Sequence, residues 1–108
     1  MEWKPKILIA GFSAYPRDLE YKKFRDIADS VGAYLLADIC HISGLVATKQ
    51  LADPFEYADV VTTTTHKSLR GPRAALCFAR SELYPKIERA FNMTQAGPHY
   101  SKIAAIAA

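Results

Sequence analysis

Apolar and polar positions alternate along the chain in blocks that predict strands and helices in turn. Ile7–Ala10 is a short apolar run closed by Gly11, a pattern typical of a buried strand followed by a loop. Between Asp18 and Gly32, apolar residues recur every three or four positions and charged residues lie between them, which predicts an amphipathic helix packed on the core. The members of the apolar stripe are Phe24, Ile27, Ala28 and Val31.

The later blocks continue this pattern and predict a sheet. Residues 34–39 are apolar except for Asp38, and a strand, a helix and a strand within about thirty residues predict a βαβ unit with parallel strands. Residues 60–65 form the next β-branched strand, and residues 74–79 follow so closely that this strand should run antiparallel. Ser81 is a candidate N-cap for a last amphipathic helix. The apolar positions of that helix are Leu83, Ile87, Ala90 and Phe91.

Composition fits one α/β domain over residues 1–108. Half of the residues are apolar, and 14 Lys and Arg against 11 Asp and Glu give a net charge of +3 without a dense basic block, so nucleic-acid binding is not expected. No leader opens the chain, and no apolar run approaches the roughly 20 residues of a membrane span, which favours a soluble protein. Cys40 and Cys77 lack C-x-x-C spacing, so they predict small buried hydrophobes and no metal site.

The segment TTTTHKSLRGPR, residues 62–73, carries the candidate chemistry. Lys67 follows one predicted strand and Asp38 ends another, and ligands of open α/β sheets bind beyond the carboxyl ends of the strands. Pyridoxal phosphate chemistry requires such a pair, because a lysine forms the imine while a carboxylate keeps the ring nitrogen protonated. Taken alone, the pair has a simpler explanation as a solvated loop lysine and an acid that caps a turn.

Four segments in order resemble the serine hydroxymethyltransferases, which are pyridoxal-phosphate enzymes of the aspartate aminotransferase-like fold (fold type I). The segments are VVTTTTHKSLRGPR from Val60, AGFSAYPR from Ala10, LLADICHISGLVA from Leu35 and QAGPH from Gln95. The resemblance implies that the chain is part of the cofactor-binding large domain, with a mostly parallel sheet flanked by helices.

The resemblance also implies site residues. Lys67 would carry the cofactor as a Schiff base, Asp38 would face its pyridine nitrogen, and Ser13 and His41 would lie near its phenolic oxygen. Thr64 and His66 would act with Lys67 in catalysis. Arg73 would lie around the site, and Gly97 would approach the cofactor phosphate from a neighbouring subunit.

The implied reaction interconverts serine and glycine, with tetrahydrofolate as the co-substrate that takes the one-carbon unit. The resemblance further implies a homodimer or homotetramer in the full-length protein. A cytoplasmic protein is expected, with a mitochondrial or plastid form left open.

The chain departs from the family pattern at Ala74, Ala75 and Ala96, and family members are several times longer. We therefore keep two alternatives. The first is a truncated, non-catalytic fragment that binds full-length subunits or RNA, and the second is another imine-forming enzyme on the same scaffold. A partial sheet should leave apolar faces and strand edges exposed, so the isolated chain is expected to associate.

Overall fold

The computed structural model describes residues 3–95 and 97–108. Within them, one sheet has the strand order β1-β2-β3-β4, with β2 parallel to both β1 and β3 and β4 antiparallel to β3. The strands are β1 Ile7–Ala10, β2 Tyr34–Asp38, β3 Val60–Thr64 and β4 Ala75–Ala79. The helices are α1 Tyr21–Val31, α2 Ser43–Ala47, α3 Tyr84–Thr94 and α4 Tyr100–Ala107. The α/β fold and the antiparallel direction of β4 are as predicted, and the sheet is mixed.

The core lies between α1 and one face of the sheet. Ala10 pairs with Ala37 in register, and both side chains are fully buried together with that of Leu35. The predicted stripe of α1 is only partly correct, because Ala28 is buried whereas Ile27 is half exposed. The helix begins at Tyr21, not Asp18, and Tyr21 lies seven residues before Ala28 on the same helix face. Ile27 lies about 100° away from Ala28 around the axis of α1. Its side chain therefore points to the border of the surface that α1 packs against the sheet.

The opposite face of the sheet is open near β1. Ile7 and Ile9 are 54% and 63% exposed, so the prediction that this strand is buried is correct only for Ala10 and, in part, for Leu8. The reason is positional: β1 is an edge strand, and alternate side chains point away from α1. Tyr34, which pairs with Ile7, is also half exposed. The chain therefore carries an apolar surface and an unpaired strand edge side by side.

Several further predictions are corrected. Ser81 does not cap α3, because this helix begins at Tyr84 with Leu83 at the N-cap and no side-chain hydrogen bond there. The carbonyl of Arg80 instead accepts the N–H groups of Leu83 and Tyr84, which forms a turn before the helix. Cys77 is exposed on β4 and Cys40 is only partly buried. Ala96 lies outside the described residues. Among the helices of the described residues, none has the length and apolar character to span a membrane.

A polar network ties α1 to the amino-terminal ends of β2 and β3. One oxygen of the Asp59 carboxylate lies 2.7 Å from Arg25 Nη1 and also accepts the Leu35 N–H at 2.7 Å. Arg25 further donates to the Ala33 carbonyl at 3.0 Å and to Asp29 at 2.7 Å. Burial lowers the pKa of Arg25, but the hydrogen bonds and charges of Asp59 and Asp29 outweigh it and raise the pKa overall. The ion pair is thus partly buried, and one oxygen of its carboxylate accepts two hydrogen bonds.

Asp59→Ala should lower the free energy of unfolding by about 2 kcal/mol, because it leaves a buried N–H at Leu35 without an acceptor and Arg25 without the more buried of its two carboxylate partners. Urea unfolding followed by circular dichroism measures the change. Asp26→Ala is the matched control, since Asp26 forms an exposed ion pair with Lys22 and its loss should change the free energy of unfolding by less than about 0.5 kcal/mol. Equal effects of the two substitutions would contradict this account.

Candidate active site

The carboxyl ends of the three parallel strands meet at one edge of the sheet. Gly11 follows β1, Asp38 ends β2, and Lys67 lies three residues beyond β3. These segments surround a crevice of about 240 Å³. Its lining consists of Ile9, Gly11, Phe12, Ser13, Asp38, Cys40, His41 and Lys67. Four of the residues predicted for the site, Ser13, Asp38, His41 and Lys67, therefore share one cavity.

Lys67 lies on a loop that is closed by its own backbone. Thr65 N–H donates to the Ala74 carbonyl at 3.1 Å, and Gly71 N–H donates to the Thr65 carbonyl at 2.7 Å. The Lys67 carbonyl accepts the N–H of Arg70, which adopts a left-handed conformation with φ 56°. These backbone hydrogen bonds close the loop that carries Lys67. The Lys67 Nζ lies 3.4 Å from His41 Nε2, so an amine and an imidazole face each other across the crevice.

Asp38 is held at its strand end by close backbone approach. Its Oδ1 accepts the Cys40 N–H at 3.0 Å. A Cβ added to Gly11 would lie 2.4 Å from the Asp38 carbonyl oxygen and 2.9 Å from the Asp38 Cβ. Only glycine fits between these two strand ends.

The remaining predicted residues are placed differently. Thr64 Oγ1 and His66 Nδ1 are buried without a hydrogen-bond partner among the described residues, and neither residue lines the crevice. Arg73 lines a separate cavity with His99 and Lys102. Gly97, in the left-handed region at φ 67°, lies between α3 and α4. The structure therefore does not bring Arg73 or Gly97 to the crevice, and the roles given to all four residues stay predictions.

Three residues that position the site lie in the segments that resemble the family, but no role was predicted for them. Gly11 was interpreted as the end of an apolar run, although its lack of a side chain decides the approach to Asp38. Ser68 and Gly44 contact each other across 24 residues of chain, so no local pattern could have paired them. Within the described residues, no group of three or more His, Cys, Asp or Glu side chains could hold a metal ion.

The two cysteines should differ in reactivity. Burial raises the pKa of the Cys40 thiol and the adjacent Asp38 carboxylate raises it further, against a smaller lowering by Thr64, whereas partial desolvation alone raises the pKa of the otherwise exposed Cys77. A raised thiol pKa means less thiolate at pH 8, and the thiolate is the nucleophile. We expect iodoacetamide to alkylate both residues more slowly in the folded chain than in urea, and Cys40 more slowly than the exposed Cys77.

Asp38→Asn measures how much the Asp38 carboxylate contributes to the pKa of the Cys40 thiol. It should shift the pH-rate profile of Cys40 alkylation to lower pH, because a negative charge next to the thiol is removed, and it should leave the profile of Cys77 unchanged. Mass spectrometry of the two cysteine peptides over pH 7–10 provides the measurement. An unchanged Cys40 profile in this variant would show that the carboxylate does not act on the thiol.

Comparison with known proteins agrees with the resemblance seen in the motifs. The family model for serine hydroxymethyltransferase matches residues 1–108. The serine hydroxymethyltransferase of Plasmodium falciparum is 54% identical over 112 residues, and that of Desulfotalea psychrophila is 59% identical over 108 residues; each match covers 99% of this chain. A Nostoc enzyme of the same name is 60% identical over 88% of the chain. The chain spans about a quarter of the length of these relatives. It belongs to the serine hydroxymethyltransferase family.

Proposed function

We propose that this chain forms the cofactor-lysine part of a pyridoxal-phosphate-dependent hydroxymethyltransferase, within a fold type I large domain. The observation that carries the proposal is the shared crevice of Lys67, Asp38, His41 and Ser13 in a chain of this family. The substrates would be serine and glycine, with tetrahydrofolate as the co-substrate. A homodimer or homotetramer in the cytoplasm is part of the same proposal.

The residues present fit a pyridoxal phosphate group. The crevice offers an amine at Lys67, a carboxylate at Asp38, an imidazole at His41 and a hydroxyl at Ser13. Its volume of about 240 Å³ lies below the roughly 300–1,000 Å³ of complete ligand pockets. A crevice of this size suits the cofactor ring, and the substrate and folate would need walls from outside residues 1–108.

Each residue would have a distinct task. Lys67 would hold the cofactor covalently through its amine, and Asp38 would accept a hydrogen bond from the protonated ring nitrogen. When bound, the cofactor supplies an electron sink for bonds at the α-carbon of an amino acid. His41, 3.4 Å from the Lys67 amine, can exchange a proton with it. Ser13 would donate to the ring oxygen. We propose Thr64 and His66 as catalytic neighbours, and Arg73 and Gly97 as cofactor contacts that require rearrangement or a second subunit.

Site mapping tests the proposal directly. The chain is incubated with pyridoxal phosphate, reduced with borohydride, digested and analysed by mass spectrometry. We expect the label to concentrate on the peptide that contains Lys67, because this amine lies in a crevice beside an acid and a histidine. An even distribution over exposed lysines such as Lys49 and Lys86 would refute the proposal.

A second candidate function is a non-catalytic fragment that binds full-length subunits. The open sheet face with Ile7 and Ile9, next to the unpaired edge of β1, favours it. Exposed strand edges and apolar patches promote association between chains. We expect size-exclusion chromatography with light scattering to give a mass above 12.0 kDa that falls on dilution. The double variant Ile7→Lys, Ile9→Lys should shift the chain toward monomer. A monomeric parent at all concentrations would contradict both expectations.

A further inference from the structure

A serine next to the cofactor lysine connects two loops of the crevice. Ser68 Oγ accepts the Gly44 N–H at 3.0 Å and lies 3.1 Å from the Ser43 hydroxyl oxygen. Ser43 is 3% exposed and Ser68 is exposed, so the contact between their hydroxyls is partly buried while the bond to the Gly44 N–H is open to water. Partial burial on the Ser43 side reduces competition from water for that contact.

The backbones approach closely at the same point. A Cβ on Gly44 would lie 3.1 Å from the Ser68 Cβ and 3.2 Å from the Ser68 carbonyl oxygen, which is tighter than ordinary van der Waals contact. Gly44 therefore allows the loop after β3 to rest on the first turn of α2. The hydrogen bonds and the close packing act together on one residue, Ser68.

This contact links the two residues that face each other in the crevice. His41 precedes α2 by two positions, and Lys67 is the immediate neighbour of Ser68. Besides the Ser68 contacts, one other hydrogen bond joins residues 41–44 with residues 66–70 in the described part of the chain. It is the 3.4 Å bond between Lys67 and His41 themselves. That bond is exposed and long, so it is too weak to set the position of a flexible lysine side chain.

We infer that Ser68 is a positioning residue, which acts through Gly44 and Ser43 to hold Lys67 beside His41. The inference rests on the proposed function of Lys67. Its physical basis is that a lysine side chain has many rotamers, so fixing its backbone increases the fraction of time in which the amine faces the crevice. Ser68 itself does not line the crevice and need not contact the cofactor.

The test compares Ser68→Ala with Ser68→Thr, which keeps the hydroxyl. Thr48→Ala is the matched control, because the Thr48 hydroxyl donates to the Gly44 carbonyl at 2.9 Å from the other end of α2 and does not contact the lysine loop. Each chain is labelled with limiting pyridoxal phosphate, reduced and mapped. We expect labelling of Lys67 to fall roughly three- to tenfold in Ser68→Ala, to recover in Ser68→Thr, and to stay at the parent level in Thr48→Ala.

The outcomes separate the two claims. A parent chain without preferential labelling at Lys67 refutes the proposed function, whereas a labelled parent matched by Ser68→Ala refutes the positioning role. An equal decrease in Thr48→Ala would also refute it, because the effect would then come from α2 stability alone. Circular dichroism checks folding. If Ser68→Ala does not fold, Ser43→Ala, which removes one of the two hydrogen bonds, should lower labelling roughly two- to threefold, and no decrease would overturn the inference.

Discussion

Lys67→Ala should abolish the covalent attachment of pyridoxal phosphate to the crevice. The reason is chemical, because only a primary amine forms the imine that borohydride fixes, and Lys67 is the amine among the residues that line the crevice. We expect the visible absorbance band of the bound cofactor to disappear and the mass increment on the Lys67 peptide to vanish, with any remaining label spread over exposed lysines.

The control for this variant is Lys49→Ala. Lys49 is an exposed lysine on the turn after α2, and its loss removes one amine without altering the crevice. This variant should retain the absorbance band and the label on Lys67. Retention of the band in Lys67→Ala, or its loss in Lys49→Ala, would show that the cofactor is held elsewhere.

Gly11→Ala should lower the free energy of unfolding by about 3 kcal/mol and should also reduce labelling of Lys67. The new Cβ would lie 2.4 Å from the Asp38 carbonyl oxygen, so two backbone segments must separate, and neither can relax by a side-chain rotation alone. Because Asp38 moves with its backbone, the carboxylate shifts away from the position opposite Lys67. Urea unfolding measures the first effect and borohydride mapping the second.

Gly32→Ala is a suitable comparison for this variant. Gly32 ends α1 at φ 67°, but nothing lies within 4 Å of a Cβ added there. The substitution should therefore cost about 1 kcal/mol of backbone strain and leave the labelling of Lys67 unchanged. If both glycine variants lost the same stability and the same labelling, close approach between the strand ends would not be the cause.

Much of the architecture was predictable because its signals are local. The alternation of apolar and polar segments along the chain predicted the order of the main strands and helices, and the short turn before β4 predicted its antiparallel direction. Asp38 and Lys67 could be placed at one edge of the sheet, since the carboxyl ends of parallel strands meet there. The helix α2 has only five residues and carries no periodic pattern of its own.

The rest depended on contacts distant in sequence. Whether Ile9 is buried depends on which strand lies at the edge, and an apolar run looks the same at either position. The start of α3 was misplaced because a turn at Arg80 took the role expected of Ser81. Arg73 belongs to a motif that resembles the cofactor site, yet its side chain lies with His99 in another cavity.

The Arg25–Asp59 network and the crevice occupy opposite ends of the same strands. Substitutions more than roughly 7–10 Å apart usually act independently. Residues at one end of this sheet can therefore be changed to stabilise the fold without altering the effect of substitutions in the crevice at the other end. Directed evolution of such a scaffold could therefore begin with stabilising substitutions around Asp59. The added free energy of unfolding would offset the loss caused by destabilising substitutions among the neighbours of Lys67.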